Sequence, residues 1–482
     1  MGLVGILLGL CLLIALAYRG WSVLLLAPIA AMIAALFSGE PLLAHWTQTF
    51  MGSAATFIGQ FFPLFLLGAL FGKLMEDSGA VASIAAFMTK TLGTKRAILA
   101  VVLAGAIVTY GGVSLFVALF VIAPMAEALF RSADIPRRLM APAIALGTFT
   151  FTMMALPGTP AIQNAIPMPF FGTTPFAAPG LGIIASLIML GFGLWWLGRQ
   201  EARARKAGEG FGDAAHGPAI ADETTLRERA TTAREFDPAE ITHGHQSVQH
   251  PPIALALLPL GLVIVVNLLM SFLILPRLDF AFLAEPRWGG ISLASVSGVW
   301  SVAVALVVAI IATLALNWRR LPKLRETMDA GANASVLPIM GVASLVGFGA
   351  VVAALPAFAV VRDFVLSIGG GPLVSLAVAT NILAALTGSA SGGLTIALDA
   401  LGSTYLKLAA EIGMDPALLH RVAVMSAGTL DSLPHSGAVV TLLAVCGVTP
   451  KQSYRDIVMV AIIGAILALI AVIVLGTLFG SF

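Results

Sequence analysis

Apolar residues along this chain run in blocks of about twenty, the length of a membrane-crossing helix rather than of an alternating barrel strand. The pattern predicts ten crossing segments, at 2–17, 21–38, 53–75, 138–170, 179–198, 251–275, 291–316, 331–355, 418–446 and 458–479. Two of these, 138–170 and 418–446, carry proline and glycine in the middle. Two further apolar stretches, 97–130 and 370–410, are interrupted by glycine clusters. Each reads as a re-entrant hairpin that enters and leaves on one side. Residues 79–90 and 357–368 are shorter and more polar, as helices lying along a membrane surface are. The expected fold class is an all-α polytopic membrane protein.

Composition points the same way. Of 482 residues, 59% are apolar and 10% charged, whereas a soluble domain is roughly a quarter charged. Soluble, disordered and disulfide-rich classes are excluded. The net charge of +2 is too small to imply a nucleic-acid partner. Cys11 and Cys446 lie in apolar runs and are expected to be buried thiols. Two cysteines make neither a metal site nor a disulfide framework. The first twenty residues lack a basic n-region and a small-residue cleavage site, so 2–17 is expected to remain as a span. No Walker A or other enzyme motif is found, and no cofactor is expected.

The positive-inside rule tests the layout. With the N-terminus outside, the inside segments hold 21 of the 26 Lys and Arg residues. The outside keeps Arg277, Arg287, Arg362, Lys407 and Arg421. Both termini are therefore expected on the outer, periplasmic side. The 199–250 loop holds 16 of the 50 charged residues and reads as a cytoplasmic polar linker. His243, His245 and His250 lie near one another there. Without cysteine or an ordered frame, a solvated linker is expected rather than a metal site.

The second half repeats the first. Pro63 and Gly72 match Pro338 and Gly347 at an offset of 275. Leu156-Pro157 matches Leu433-Pro434 at 277, and Gly172–Pro175 matches Gly447–Pro450 at 275. The Tyr110–Ser114 cluster matches Ser391–Thr395 at 281. Five crossings per repeat is an odd number, so the second copy must be inverted. The expected organisation is a first inverted repeat over 1–198, the linker 199–250, and a second repeat over 251–482. Inverted repeats with paired broken segments point to a secondary transporter with its site at the repeat interface.

Four places combine helix breaks with small polar side chains. They are Tyr110, Gly111, Gly112 and Ser114; Gly158, Thr159, Gln163 and Asn164; Thr387, Gly388, Ser389, Ser391, Gly392, Gly393 and Thr395; and Ser432, Ser436 and Gly437. Unpaired backbone in hydrocarbon costs several kcal/mol per group, so such clusters need either a protein neighbour or a polar cavity. For each cluster, close helix packing is the structural alternative. Free N–H groups at half-helix N-termini favour an anion. No Lys or Arg is expected at mid-depth, so a small carboxylate fits better than a multiply charged one.

Asp399, Asp431 and His435 are the ionisable residues expected deep in the membrane, where such groups default to function. Asp431 and His435 flank Pro434 and are candidates to carry a coupling proton; Asp431 is alternatively a cap for the half-helix that follows. Asp399 is a third proton candidate or a local partner. Glu127 is expected to be solvated. Trp195, Trp196, Trp288 and Trp318 sit at span ends, as an interface belt would.

The TGSASGGLTIALDALG hairpin, its NILAALTGSAS lead-in, and the LPGTPAIQNAIP and LDSLPHSGA breaks resemble the gluconate permease (GntP) family of the ion transporter superfamily. The resemblance spans nearly the whole chain. It implies proton-coupled uptake of sugar acids or small hydroxy acids across a bacterial inner membrane. It also implies a dimerising scaffold and a transport domain with two opposed hairpins. The breaks look closer to the D-beta-hydroxybutyrate permease branch than to the gluconate branch, which favours a less hydroxylated monocarboxylate. A sodium-coupled carrier of the same fold, with Na⁺ at unwound carbonyls of Thr387–Ser391, and a passive channel are the alternatives.

Overall fold

The computed structural model describes residues 1–18, 21–212, 247, 250–434 and 436–482. Every regular element among them is helical. Six stretches are long and apolar enough to cross a bilayer unaided: Leu42–Asp77, Pro179–Lys206, Ile253–Arg277, Leu293–Arg320, Leu324–Ala354 and Pro450–Phe479. Large apolar side chains such as Leu187, Ile311 and Phe479 are more than half exposed. In water that would be costly; in a bilayer lipid covers them. Cys11 is exposed as well, which corrects the expectation for that thiol, while Cys446 is buried.

The other expected crossings are short or broken. Gly2–Tyr18 and Val23–Phe37 form a close pair. Ala27, Ala30, Ala31 and Ala34 have no exposed surface, and a Cβ on Gly9 would lie 2.5 Å from the Ala30 carbonyl. Small residues let the backbones approach, and dispersion then holds the pair where the hydrophobic effect cannot. Segment 138–170 divides into Met140–Thr148, Phe151–Met154, Ile162–Ala165 and Pro167–Phe171. Pro157 and Pro160 lack N–H donors, and Gly158 holds φ +80°, which an L side chain rarely adopts. Segment 418–446 divides into Pro416–Thr429 and Gly437–Val445 around Pro434. Ala80–Leu92 meets the following helix at 99°, the turn falling at Gly93.

Two helical hairpins are present. The first joins Ala97–Tyr110 to Leu115–Ser132 and turns at Gly111-Gly112, with Gly112 at φ +98°. The second joins Gly371–Thr387 to Ala390–Glu411 and turns at Gly388, φ +65°. The second tip thus lies at Gly388-Ser389, at the start of the glycine cluster, and Gly392 and Gly393 are already inside a helix. Gly112 and Gly388 are 276 apart, in line with the other offsets, so the 281 match is corrected. Gly393 is needed for a different reason: a Cβ there would collide with the Ala384 backbone on the opposing arm. The glycine pair serves close packing of the arms.

Helix pairings come in corresponding sets. Ala97–Tyr110 lies on Met140–Thr148, and Gly371–Thr387 lies on Pro416–Thr429. Leu115–Ser132 touches Gly437–Val445, while Ala390–Glu411 touches Ile162–Ala165 and Pro167–Phe171. Each hairpin's returning arm therefore rests on the broken segment of the other half. Met51–Asp77 and Val336–Ala354 pair with each other, as do Pro179–Lys206 and Gly464–Phe479. Gly172 and Gly447 close their helices at nearly the same angle, φ +63° and +61°.

Candidate functional site

The first break is tied down almost entirely by side chains bonding to its carbonyls. Tyr110 Oη donates to Pro157 O at 2.8 Å, and Asn267 Nδ2 donates to Gly158 O at 3.1 Å. Asn164 Nδ2 donates to Thr159 O and Pro175 O, both at 3.0 Å. Its Oδ1 meets His420 Nε2 at 3.2 Å, and His420 Nδ1 meets Thr173 Oγ1 at 2.6 Å. Thr159 and Asn164 are fully buried and occupied in holding the break open. Gln163 is half-buried on the short helix that faces the second hairpin. The tip glycine Gly112 lies against Pro160, so the first tip touches its own half's break. Ser114 starts the returning arm, its carbonyl accepting from Ala118 N at 3.0 Å.

Arg421, counted among the outer charges, is completely buried within the protein. Its Nε and Nη2 donate to Ala177 O at 3.1 and 2.6 Å, and its Nη1 to Met154 O at 3.3 Å. Among the described residues no carboxylate forms an ion pair with it. A guanidinium thus satisfies carbonyls freed by the broken helix and leaves a positive charge beside the break. The helix starts earlier than the apolar run, at Pro416 behind the Asp415 N-cap, whose side chain accepts from Ala417 N, so residue 421 lies in its second turn.

At the second hairpin, unwinding is confined to Gly388 and Ser389. Thr387 Oγ1 donates to Leu383 O at 2.8 Å and to Ser389 O at 3.1 Å. Ser389 is the N-cap, accepting from Gly392 N at 3.2 Å and meeting Ser391 Oγ at 3.2 Å. Thr395 Oγ1 donates to Ser391 O at 2.7 Å. The expected run of free carbonyls from Thr387 to Ser391 is thus a single turn, because Ser391 is already helical.

At the second break, Ser432 Oγ donates to Asp431 Oδ1 at 3.1 Å, and Tyr454 Oη donates to Ser432 O at 3.3 Å. The half-helix after the break starts at Gly437, with Ser436 at its N-cap position. His435, and with it the proton pair, lies outside the described residues, as do His243 and His245. His250 is exposed. No metal-binding group of His, Cys, Asp or Glu is present among the described residues.

Asp399 lies half-buried beside a cavity of about 330 Å³. Gln48, Thr49, Ser53, Thr56 and Gln60 line the opposite wall, with Phe57, Phe61 and Phe170 around them. None of these five polar residues was a sequence candidate. Their signal was a four-residue spacing of polar and small positions, 48, 52, 56 and 60, upstream of and into an apolar run.

Two more polar features went unread. Lys73, Glu76 and Asp77 form a buried cluster at the end of the helix Met51–Asp77, with Lys73 Nζ 3.2 Å from Glu76 and 3.1 Å from Asp77. Thr327 Oγ1 donates to Asp77 Oδ2 at 2.7 Å. Trp196 is nearly buried and its indole donates to Asp456 Oδ1 at 2.9 Å, unlike Trp195, Trp288 and Trp318, which are exposed. Glu127 is bridged by Arg131 at 2.8 Å and Arg137 at 3.3 Å.

Long apolar helices, two hairpins and two broken segments make a multi-pass membrane protein, and its family and curated relative are transporters rather than enzymes. The pattern of the GntP family permeases matches residues 1–170. The chain is 43% identical over 483 residues to the uncharacterized transporter YxjC of Bacillus subtilis, covering 98% of each. It belongs to the GntP permease family. Its fold is similar to that of MtrF from Neisseria gonorrhoeae, described as illuminating a class of antimetabolite efflux pumps, with a TM-score of 0.55 at 16% identity over 91% of this chain and 85% of that one. The YdaH transporter of Alcanivorax borkumensis aligns over 91% of this chain and 89% of its own, with a TM-score of 0.48 and 16% identity.

Proposed function

We propose that the protein is a proton-coupled symporter that imports a small hydroxy-monocarboxylate across a bacterial inner membrane. The substrate class is 3-hydroxybutyrate-like acids or a sugar acid such as gluconate. The observation that carries this is the reciprocal seating of each hairpin's returning arm on the other half's broken segment. Two such half-sites, facing each other, give a substrate a place to be exposed first to one side and then to the other. Buried Arg421 and the N-terminus capped by Ser389 supply the positive potential that favours a single carboxylate. In this reading residues 1–198 and 251–482 are inverted repeats, the linker is cytoplasmic, both termini are periplasmic and the unit is a homodimer. Asp431 with His435, and Asp399, are the candidate proton carriers.

The test is uptake of labelled 3-hydroxybutyrate and gluconate into vesicles holding the purified protein. An imposed gradient, acid outside, should drive accumulation of one or both, with or without Na⁺. Accumulation only with Na⁺ would establish the sodium-coupled alternative. Equilibration without accumulation would establish a passive facilitator.

A further inference from the structure

The cavity beside Asp399 has the size of a small-ligand site, and its polar lining carries a single charge. Gln48, Thr49, Ser53, Thr56 and Gln60 are neutral, and Asp399 is the sole charged residue among those that line it. Gln48 and Thr49 stand in a π-helical turn, His45–Phe50, a distortion frequent at functional sites. A polar stripe on a membrane helix costs too much to face lipid and belongs against water, protein or a ligand. No hydrogen bond or ion pair joins the Asp399 carboxylate to a described residue.

Other titratable groups on the elements packed against this arm are engaged elsewhere. His420 is bonded to Asn164 and Thr173, and Arg421 to two main-chain carbonyls. His45 is 3.7 Å from Glu40. Lys73, Glu76 and Asp77 pair with one another at the far end of their helix. On Asp399's own arm, Tyr405 is bonded to Ser375, and Lys407 and Glu411 lie two and three turns further on. Val336–Ala354, Gly371–Thr387, Ile162–Ala165 and Pro167–Phe171 carry no titratable residue.

We propose that this cavity is a binding site for the carboxylate of the transported acid, occupied only while Asp399 carries a proton. Ionised, Asp399 repels the anion; at about 5 Å and an effective dielectric near 20, that lowers affinity by more than about a hundredfold. Protonated, it becomes a donor. The proton comes from the solution and forms the Oδ–H bond of Asp399. That hydrogen then bonds to the substrate carboxylate, with the Ser, Thr and Gln groups as further donors. One anion and one proton load together. Asp399 is ten residues past Ser389, about 15 Å along the arm, and Thr395 of the hairpin cluster lines the same cavity.

The inference rests on the proton-coupled reading above, and its test separates the two. The full-length protein in vesicles is compared with Asp399→Asn and Ser53→Phe, using labelled 3-hydroxybutyrate and gluconate. Wild-type exchange affinity should weaken about tenfold per pH unit above the Asp399 titration, since only the protonated fraction binds. Asp399→Asn should exchange labelled for unlabelled acid with no such slope, and should not accumulate it under a pH gradient. Ser53→Phe fills the cavity and should abolish exchange while eluting from a sizing column as the wild type does. Retained pH slope or accumulation in Asp399→Asn, or normal exchange by Ser53→Phe, overturns the proposal. A wild type indifferent to the pH gradient, or inactive with both acids, overturns the proton-coupled reading and this inference with it.

Discussion

Arg421→Lys keeps the buried positive charge and its desolvation cost, and removes only the fork. The guanidinium makes three hydrogen bonds to two carbonyls, two to Ala177 O and one to Met154 O. An ammonium is a point donor and reaches one carbonyl at a time. Seated on Ala177 O, it leaves Met154 O buried and unpaired. A stranded buried acceptor costs about 1–3 kcal/mol, and the lost second bond to Ala177 about 1 kcal/mol more. The expected loss is about 2–4 kcal/mol. At about 2 °C per kcal/mol, the detergent-solubilised protein should melt roughly 4–8 °C lower. Tryptophan fluorescence against temperature, at one scan rate, reads the shift. A midpoint equal to that of the wild type would refute the argument and show that Arg421 is held for its charge alone.

Gly158→Val should abolish uptake of labelled acid while membrane abundance persists. The residue has φ +80°, and a Cβ would lie 2.5 Å from the Phe176 ring. Normal uptake would show that the break need not keep this shape. Lys73→Met should cost about 3–5 kcal/mol by stranding buried Glu76 and Asp77, seen as a lower melting midpoint; adding Asp77→Asn should recover part of it. Glu209 lies beyond the spans and takes two hydrogen bonds from Arg138, which hold its carboxyl below the usual range. A depressed carboxylate stabilises above its unfolded titration range, and that contribution is lost as pH falls through the folded value. Glu209→Gln should therefore lower the neutral-pH midpoint slightly and leave the acid one unchanged. The side chain is 42% exposed, so the effect is under about 1 kcal/mol.

What the sequence made legible was punctuation. Proline and positive-φ glycine stop helices for steric reasons that need no tertiary context. The breaks at Pro157-Gly158 and Pro434 and the tip at Gly112 could therefore be read directly. Gly392-Gly393 was matched to Gly111-Gly112, although a glycine pair signals two things, a turn or a close approach, and only the opposing Ala384 decides between them. The burial of Arg421 went unread because counting positive charge by loop assumes that every arginine near a span end reaches water. The polar wall at Gln48–Gln60 was missed for a related reason. The apolar run was started at residue 53, yet the helical stretch begins at Leu42, and averaged hydropathy hides a stripe of polar residues on one face. The burial of Lys73, Glu76 and Asp77 could not be read locally; it comes from the helix Leu324–Ala334 lying across them.

The claim at the centre of this account is that acid and proton move together. Vesicles holding the protein, with no gradient imposed and a pH-sensitive dye outside, test it in one step. Adding 3-hydroxybutyrate or gluconate outside should alkalinise the external medium faster than in protein-free vesicles, equally with Na⁺ or K⁺ as the cation, as the carrier draws protons in with the anion. Entry of labelled acid with no external pH change, or with a change that requires Na⁺, would contradict the account.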